Sequence, residues 1–192
     1  MTLEFTFVYV LSQIFTIISY ALLGVSYLLK SKRAIVAASL LSPIAILIAY
    51  ILLGAWTGLA MCIIASVRNL YIFWDEKKHG KRKKLIKQDY IFLAVICLAI
   101  IITTIPSYDG PLSLLSVFST LAYTYALWQK SPKVYKLFGG IAEACGLGYC
   151  IFIGSIFGVL AEICLLVMAI VGFITEPKKR KRSKNIKRGH AA

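Results

Sequence analysis

Apolar residues gather into long runs parted by short breaks that are basic or rich in glycine, and few polar positions interrupt the runs. A helix rises about 1.5 Å per residue, so roughly 17 to 25 apolar residues cross a hydrocarbon core of about 30 Å. Seven runs reach that length, at approximately 6–29, 34–53, 55–74, 89–106, 112–129, 134–153 and 155–175. In lipid the backbone must satisfy its polar groups within each segment, and these runs are too long for barrel strands, so the pattern predicts helices. The first run has full spanning length and follows Glu4 with no Lys or Arg before it. It is expected to be retained, not cleaved as a signal peptide.

Composition agrees with the pattern. Mean hydropathy is +0.80, with 59% hydrophobic and 16% charged residues in 192, more apolar than a soluble core requires. The expected class is an all-α integral membrane protein. Lys30, Lys32 and Arg33 follow the first run, "KKHGKRKKLIK" the third, Lys130, Lys133 and Lys136 the fifth, and eight further basic residues the seventh. The alternate links carry none. Since Lys and Arg in short loops stay cytoplasmic, the N-terminus is expected outside and the C-terminus inside a bacterial inner membrane. Every basic residue except Arg68 falls on the inner side.

The net charge of +14 raises nucleic acid as a partner, yet this topology accounts for the charge. The tail "KKRKRSKNIKR" is expected to be disordered and to lean on anionic lipid head groups. No nucleic-acid partner, cofactor or metal is expected. Cys62, Cys97, Cys145, Cys150 and Cys164 lie within runs without a CxxC pair, and His79 and His190 lie in basic segments. The cysteines read as small packing residues.

A shift of 100 residues aligns Ser19 with Ser119, Lys30-Ser31 with Lys130-Ser131, Gly54 with Gly154, Gly58 with Gly158, Ile63 with Ile163 and Glu76 with Glu176. It also lays "GAWTGLAMCI" on "GSIFGVLAEI". A three-helix unit that starts outside ends inside, so a parallel copy requires one more crossing, which the charge-free "YIFLAVICLAIIITTIP" supplies. The predicted fold is therefore seven transmembrane helices as two parallel three-helix bundles joined by a linker helix, 3+1+3. Residues 1–76 form the first repeat, 77–110 the basic loop and linker helix, 111–176 the second repeat and 177–192 the tail.

That design resembles the SWEET and PQ-loop (MtN3-like) superfamily, to which the PnuC-type carriers are similar. "LLGAWTGLAMCIIASVRNL" and "GSIFGVLAEICLLV" more closely resemble the YgjV family of bacterial inner-membrane proteins. The chain has no Pro-Gln pair, so the resemblance implies no PQ-loop mechanism.

Polar groups within spans face the bundle or a wet cavity, and residues four apart share a helix face. Glu162 lies in line with Gly154 and Gly158. In the third run Gly54, Gly58, Cys62 and Ser66 form the equivalent line, to which Asn69 returns within about 20°, while Arg68 lies roughly 80° to one side. Glu143 shares a face with Gly139, Gly140, Gly146 and Cys150. Gln13, Thr16, Tyr20 and Gly24 stripe the first run, and Ser116, Ser119, Thr120 and Tyr123 the fifth. The candidate substrate or coupling-ion residues are therefore Glu162, Asn69, Arg68, Glu143, Gln13, Tyr20, Ser119 and Tyr123.

Three plainer roles compete. Stripe hydroxyls can bond their own backbone, Glu162 can pair with Arg68 to join the halves, and Arg68 can snorkel to the cytoplasmic interface. The expected function is a small-solute transporter working by alternating access, with a midplane site between helices 3 and 7. Trp56 and Tyr149 would suit a polar neutral or cationic solute. The alternative is a non-transporting receptor or accessory protein, and either can form an oligomer. No nucleophile with a base appears, so an enzyme is not expected.

Overall fold

The computed structural model describes residues 2–54, 56–79, 87–104, 110 and 113–176. The tail at 177–192 and the loop stretches 80–86 and 105–109 lie outside the described residues. Each predicted run is a helix: α1 Thr2–Leu28, α2 Lys32–Leu53, α3 Trp56–His79, α4 Lys87–Thr104, α5 Ser113–Trp128, α6 Pro132–Phe152 and α7 Ile156–Thr175. α1 starts earlier than the apolar run, and α3 continues beyond it through Asp75 and Glu76 to His79. Helical hydrogen bonding does not stop where hydrophobicity does.

Two turns share one geometry. Gly54 closes α2 with φ +65° and its N–H donates to the Ile51 carbonyl at 3.2 Å. Gly154 follows α6 with φ +71° and donates to the Ile151 carbonyl, also at 3.2 Å. This left-handed conformation favours glycine. The Ser155 hydroxyl then caps α7 by accepting from the Gly158 N–H at 3.2 Å.

Phe7–Leu28, Lys32–Leu53, Lys87–Thr104 and Ile156–Thr175 are long and apolar enough to cross a membrane by length and composition. In α5 the apolar stretch Leu114–Trp128 is shorter, and α3 and α6 carry charges along their length. Large apolar side chains cover the outside, Ile156 at 74% exposure and Phe157 at 86% among them. That surface suits lipid, not water.

α1 packs on α2 and α7, α2 on α3, α6 on α5 and α7, and α3 meets α5. These neighbours close into a ring, α1–α2–α3–α5–α6–α7. α4 lies against the α3–α5 seam and presents Tyr90, Ile91, Val95 and Leu98 outward. Tyr27, Ile35, Leu127, Tyr135, Leu165 and Ala169 form the apolar core, concentrated where the links from α1 to α2 and from α5 to α6 lie.

Glycines set two close approaches in that core. A Cβ at Gly139 would overlap the Tyr27 ring, and one at Gly172 would overlap the Tyr27 main-chain oxygen. α1 therefore sits directly on bare backbone of α6 and α7.

Candidate functional site

Two groups of charged side chains occupy the ring, and among the described residues no ion pair joins them. The first belongs to α6 and α7. Glu143 is 6% exposed and accepts a hydrogen bond from the Tyr27 hydroxyl of α1. The Glu162 carboxyl faces it. Gly146 makes that placement possible: a Cβ there would lie 2.9 Å from Glu162 Oε1 and 3.0 Å from Oε2, so the carboxyl fills the space that the glycine leaves. Glu162 Oε2 is buried without a hydrogen-bond partner among the described residues. Tyr20, Tyr123 and Cys150 lie within electrostatic reach.

The second group belongs to α3 and α5. Arg68 is 3% exposed. Its Nε donates to Asn69 Oδ1 at 2.9 Å and its Nη1 to Thr124 Oγ1 at 2.6 Å, and the guanidinium lies 5.3 Å from the Tyr123 ring centroid. Thr124 can accept because its own hydroxyl donates to the Thr120 carbonyl at 2.7 Å. Asn69 Nδ2 donates to the Ser39 main-chain oxygen of α2 at 2.5 Å.

A chain of polar and aromatic groups joins the two. Tyr27 stacks on Tyr135 with centroids 5.3 Å apart. The Tyr135 hydroxyl lies 2.6 Å from Ser26 Oγ and 3.4 Å from Ser39 Oγ, and Ser39 leads to Asn69 and Arg68.

Both plain expectations for Arg68 need correction. It does not snorkel, because its side chain is buried against α5. Nor does it pair with Glu162, because no carboxylate among the described residues lies within ion-pair distance and its partners are neutral. Glu162 faces Glu143 instead. α3 and α7 are not principal neighbours, so the candidate residues on them connect through the other helices of the ring, α5 included by way of Tyr123.

The structure thus brings Glu143, Glu162 and Tyr20 together at one place, and Arg68, Asn69 and Tyr123 at another. Gln13 and Ser119 are half-buried and hydrogen-bond to neither group among the described residues. In the stripes, Thr16 donates to the Ser12 carbonyl at 2.9 Å and Thr120 to the Ser116 carbonyl at 2.9 Å. Those hydroxyls serve their own helices. The Trp56 side chain lies outside the described residues, and Tyr149 is half-buried on α6.

Sequence reasoning missed Tyr27, Ser39, Thr124 and Tyr135. Gly139 was a usable signal for Tyr27, since a glycine within a helix face makes room for a large neighbour. Ser39 contributes its main-chain oxygen, which no residue type announces.

At the end of the ring with the basic links, Lys130 Nζ bonds Asp75 Oδ2 at 2.7 Å and approaches Glu76 Oε2 at 3.4 Å, while His79 Nδ1 lies 3.1 Å from Asp75 Oδ1. Burial opposes the Asp75 charge, but the bond to Lys130 outweighs it with help from His79, so this carboxyl titrates below its ordinary range. Burial likewise opposes the Lys130 charge, and Asp75 and Glu76 overcome it, holding the ammonium above its ordinary range. Lys32 Nζ donates to the Leu127 carbonyl at 2.5 Å, and Lys136 pairs with Glu176.

Residues 10–179 match the Imp-YgjV family, described as bacterial inner membrane protein. The chain belongs to that family. No curated protein and no solved structure matches it. Family membership and the apolar helices make this Imp-YgjV chain a multi-pass protein of the bacterial inner membrane.

Proposed function

We propose that this Imp-YgjV protein carries a small solute across the inner membrane by alternating access, through the ring interior between the acidic pair and Arg68. The observation that carries the reading is that interior itself. Ionisable groups of both signs are buried there, and each sign lacks a charged partner of the other. Structure alone does not require this, because charges in a membrane interior are costly and mark functional paths.

The architecture proposed is 3+1+3, with seven spans, the N-terminus outside and the C-terminus inside. Its support lies in the neighbour relations, which repeat when each helix is exchanged for the one four later: α1–α2 with α5–α6, α2–α3 with α6–α7, and α1–α7 with α5–α3. The matching turns at Gly54 and Gly154 support the same reading. Two parallel units about an axis along the membrane normal can rock around a central site, a design similar to that of the SWEET superfamily.

Proteoliposomes with an inward acid gradient test the function. Adding a transported solute should move protons in a solute-dependent way, and Glu162→Gln should stop that movement. A purified protein that binds solute but never moves it would replace the carrier with a receptor or accessory protein. For topology, a single cysteine at Gly110 should react with an impermeant thiol reagent in cells whose inner membrane is intact but reagent-accessible, and one at Gly80 should not. The opposite labelling would invert the assignment.

A further inference from the structure

We infer that Arg68 receives a carboxylate of the solute, and that one proton accompanies it on the Glu143–Glu162 pair. Transport of the carboxylate rests on the carrier reading above; its binding does not.

Neutral groups surround the Arg68 guanidinium. Its partners, Asn69 Oδ1 at 2.9 Å, Thr124 Oγ1 at 2.6 Å and the Tyr123 ring at 5.3 Å, are neutral groups that orient a cation without cancelling it. Tyr135 and Cys97 are the other titratable groups within its electrostatic reach. A buried ion lacking a counter-charge is costly, and a residue kept for structure would be expected to have found a carboxylate. Nε and Nη1 are engaged, whereas Nη2 has no hydrogen-bond partner among the described residues. The planar guanidinium is already held in place, so a carboxylate oxygen can dock on the free edge with a charge-assisted bond.

The count of cations selects the anion. Among the described residues no Lys and no second Arg contacts the guanidinium, and the nearby Lys32 Nζ, 5.6 Å from the Tyr135 ring centroid, is engaged with the Leu127 carbonyl, so at Arg68 itself a single negative charge is matched and a phosphate dianion is not.

The acidic pair completes the balance. Glu143 faces Glu162, and the other groups within reach of the pair are the hydroxyls of Tyr20, Tyr27 and Tyr123 and the Cys150 thiol, none of them cationic. Two facing carboxyls that share one proton carry one negative charge, which balances Arg68 across the ring. When a carboxylate arrives at Arg68 the interior becomes negative by one. A second proton on the pair restores neutrality, and in a low-dielectric interior that state is strongly preferred. Binding of the anion and uptake of the proton are therefore linked, and the linkage is reciprocal. The stacked Tyr27 and Tyr135 and the Ser39–Asn69 contact join the two places physically.

Formate, the smallest carboxylate, is the probe. Its binding to full-length protein in lipid nanodiscs is measured by calorimetry or intrinsic fluorescence, with formamide and inorganic phosphate as comparisons. Wild type should bind formate and not formamide, and affinity should rise by about tenfold per unit fall in pH where the second proton is taken up. Arg68→Gln should abolish binding, and Arg68→Lys should keep a weakened site, which shows that loss is not misfolding. The double variant Glu143→Gln/Glu162→Gln, which leaves no carboxyl to take the proton, should bind with little dependence on pH. Equal formate binding by wild type and Arg68→Gln would overturn the inference, as would tighter binding of phosphate than formate, or no binding at all. Formate that binds but is not taken up by proteoliposomes would keep the anion site and remove the carrier.

Discussion

The α3–α5 and α1–α7 seams, whose positions a shift of 100 residues aligns, are filled differently. In one, Arg68 bonds Thr124. In the other, each number shifted by 100, Met168 places its sulfur where a Cβ of Gly24 would be. The first contact is charged and hydrogen-bonded, the second apolar, with a flexible thioether lying in a glycine notch. Both hold a helix pair together, so packing at this position needs a long side chain and not a charge. Glu162 makes the same point from the other side, because its counterpart is Cys62. Each seam carries one acidic or basic residue where the position shifted by 100 has none.

The largest expected effect separates backbone from side-chain contacts at the α1–α7 seam. At Gly172 even one added carbon meets the Tyr27 main-chain oxygen, which cannot move without shifting α1. Gly172→Leu should cost about 3 kcal/mol or more and largely prevent recovery of monodisperse protein. Gly24→Ala meets only the end of Met168 and should cost about 1 kcal/mol. Thermal unfolding in detergent measures both, and equal losses would break the distinction.

Arg68→Met imports the apolar solution of one seam into the other. It gives up the bonds to Asn69 Oδ1 and Thr124 Oγ1, about 1 kcal/mol each, and removes a buried charge, a change that is often neutral or stabilising by about 1–4 kcal/mol. The variant should be as stable as wild type or more so, and should lose solute handling. A marked fall in melting temperature would make Arg68 a structural residue.

Gly146→Ala pushes on the Glu162 carboxyl, a side-chain tip that can turn away. Its stability should fall by only about 1 kcal/mol, yet solute-dependent proton movement should drop well below wild type. Normal proton movement would show that contact between the two carboxyls is not needed.

The smallest effect lies at the end of the ring bearing the basic links. Asp75 titrates below its unfolded value, so its pair with Lys130 stabilises the fold above the unfolded carboxyl range and is lost as pH falls through the lowered one. Lys130 titrates above its unfolded value, so its share is complete below the unfolded lysine range and is lost only as pH rises through the raised one. Asp75→Asn should flatten the acid limb of the stability profile and cost about 0.5–1 kcal/mol near neutrality, allowing for solvent screening. An unchanged acid limb would show that the pair does not contribute.

The helices were legible because both of their requirements are local: enough apolar residues to span lipid, and a glycine where the backbone turns left-handed. Gly54 and Gly154, read as the first members of glycine lines on helix faces, instead form the left-handed turns before α3 and α7, and α3 outran the end of its apolar run because Asp75 and Glu76 are as able to continue a helix as to end one. The faces of Glu143, Glu162 and Asn69 also followed from helical period. Family resemblance was legible in two short segments whose match extends over residues 10–179.

What those faces meet was not legible. A buried charge has the same sequence signature whether it pairs, snorkels or stays uncompensated, since the outcome depends on which helices become neighbours. The ring order placed α7 beside α6 and α1, away from α3. Glu162 therefore faces Glu143 and Arg68 has only neutral partners, whereas helical period alone allowed them to meet. Likewise Tyr27 reaches Glu143 only because Gly139 and Gly172 admit α1 against bare backbone. Spacing along one helix determines direction, but distance between side chains on different helices is decided by how closely their backbones pack.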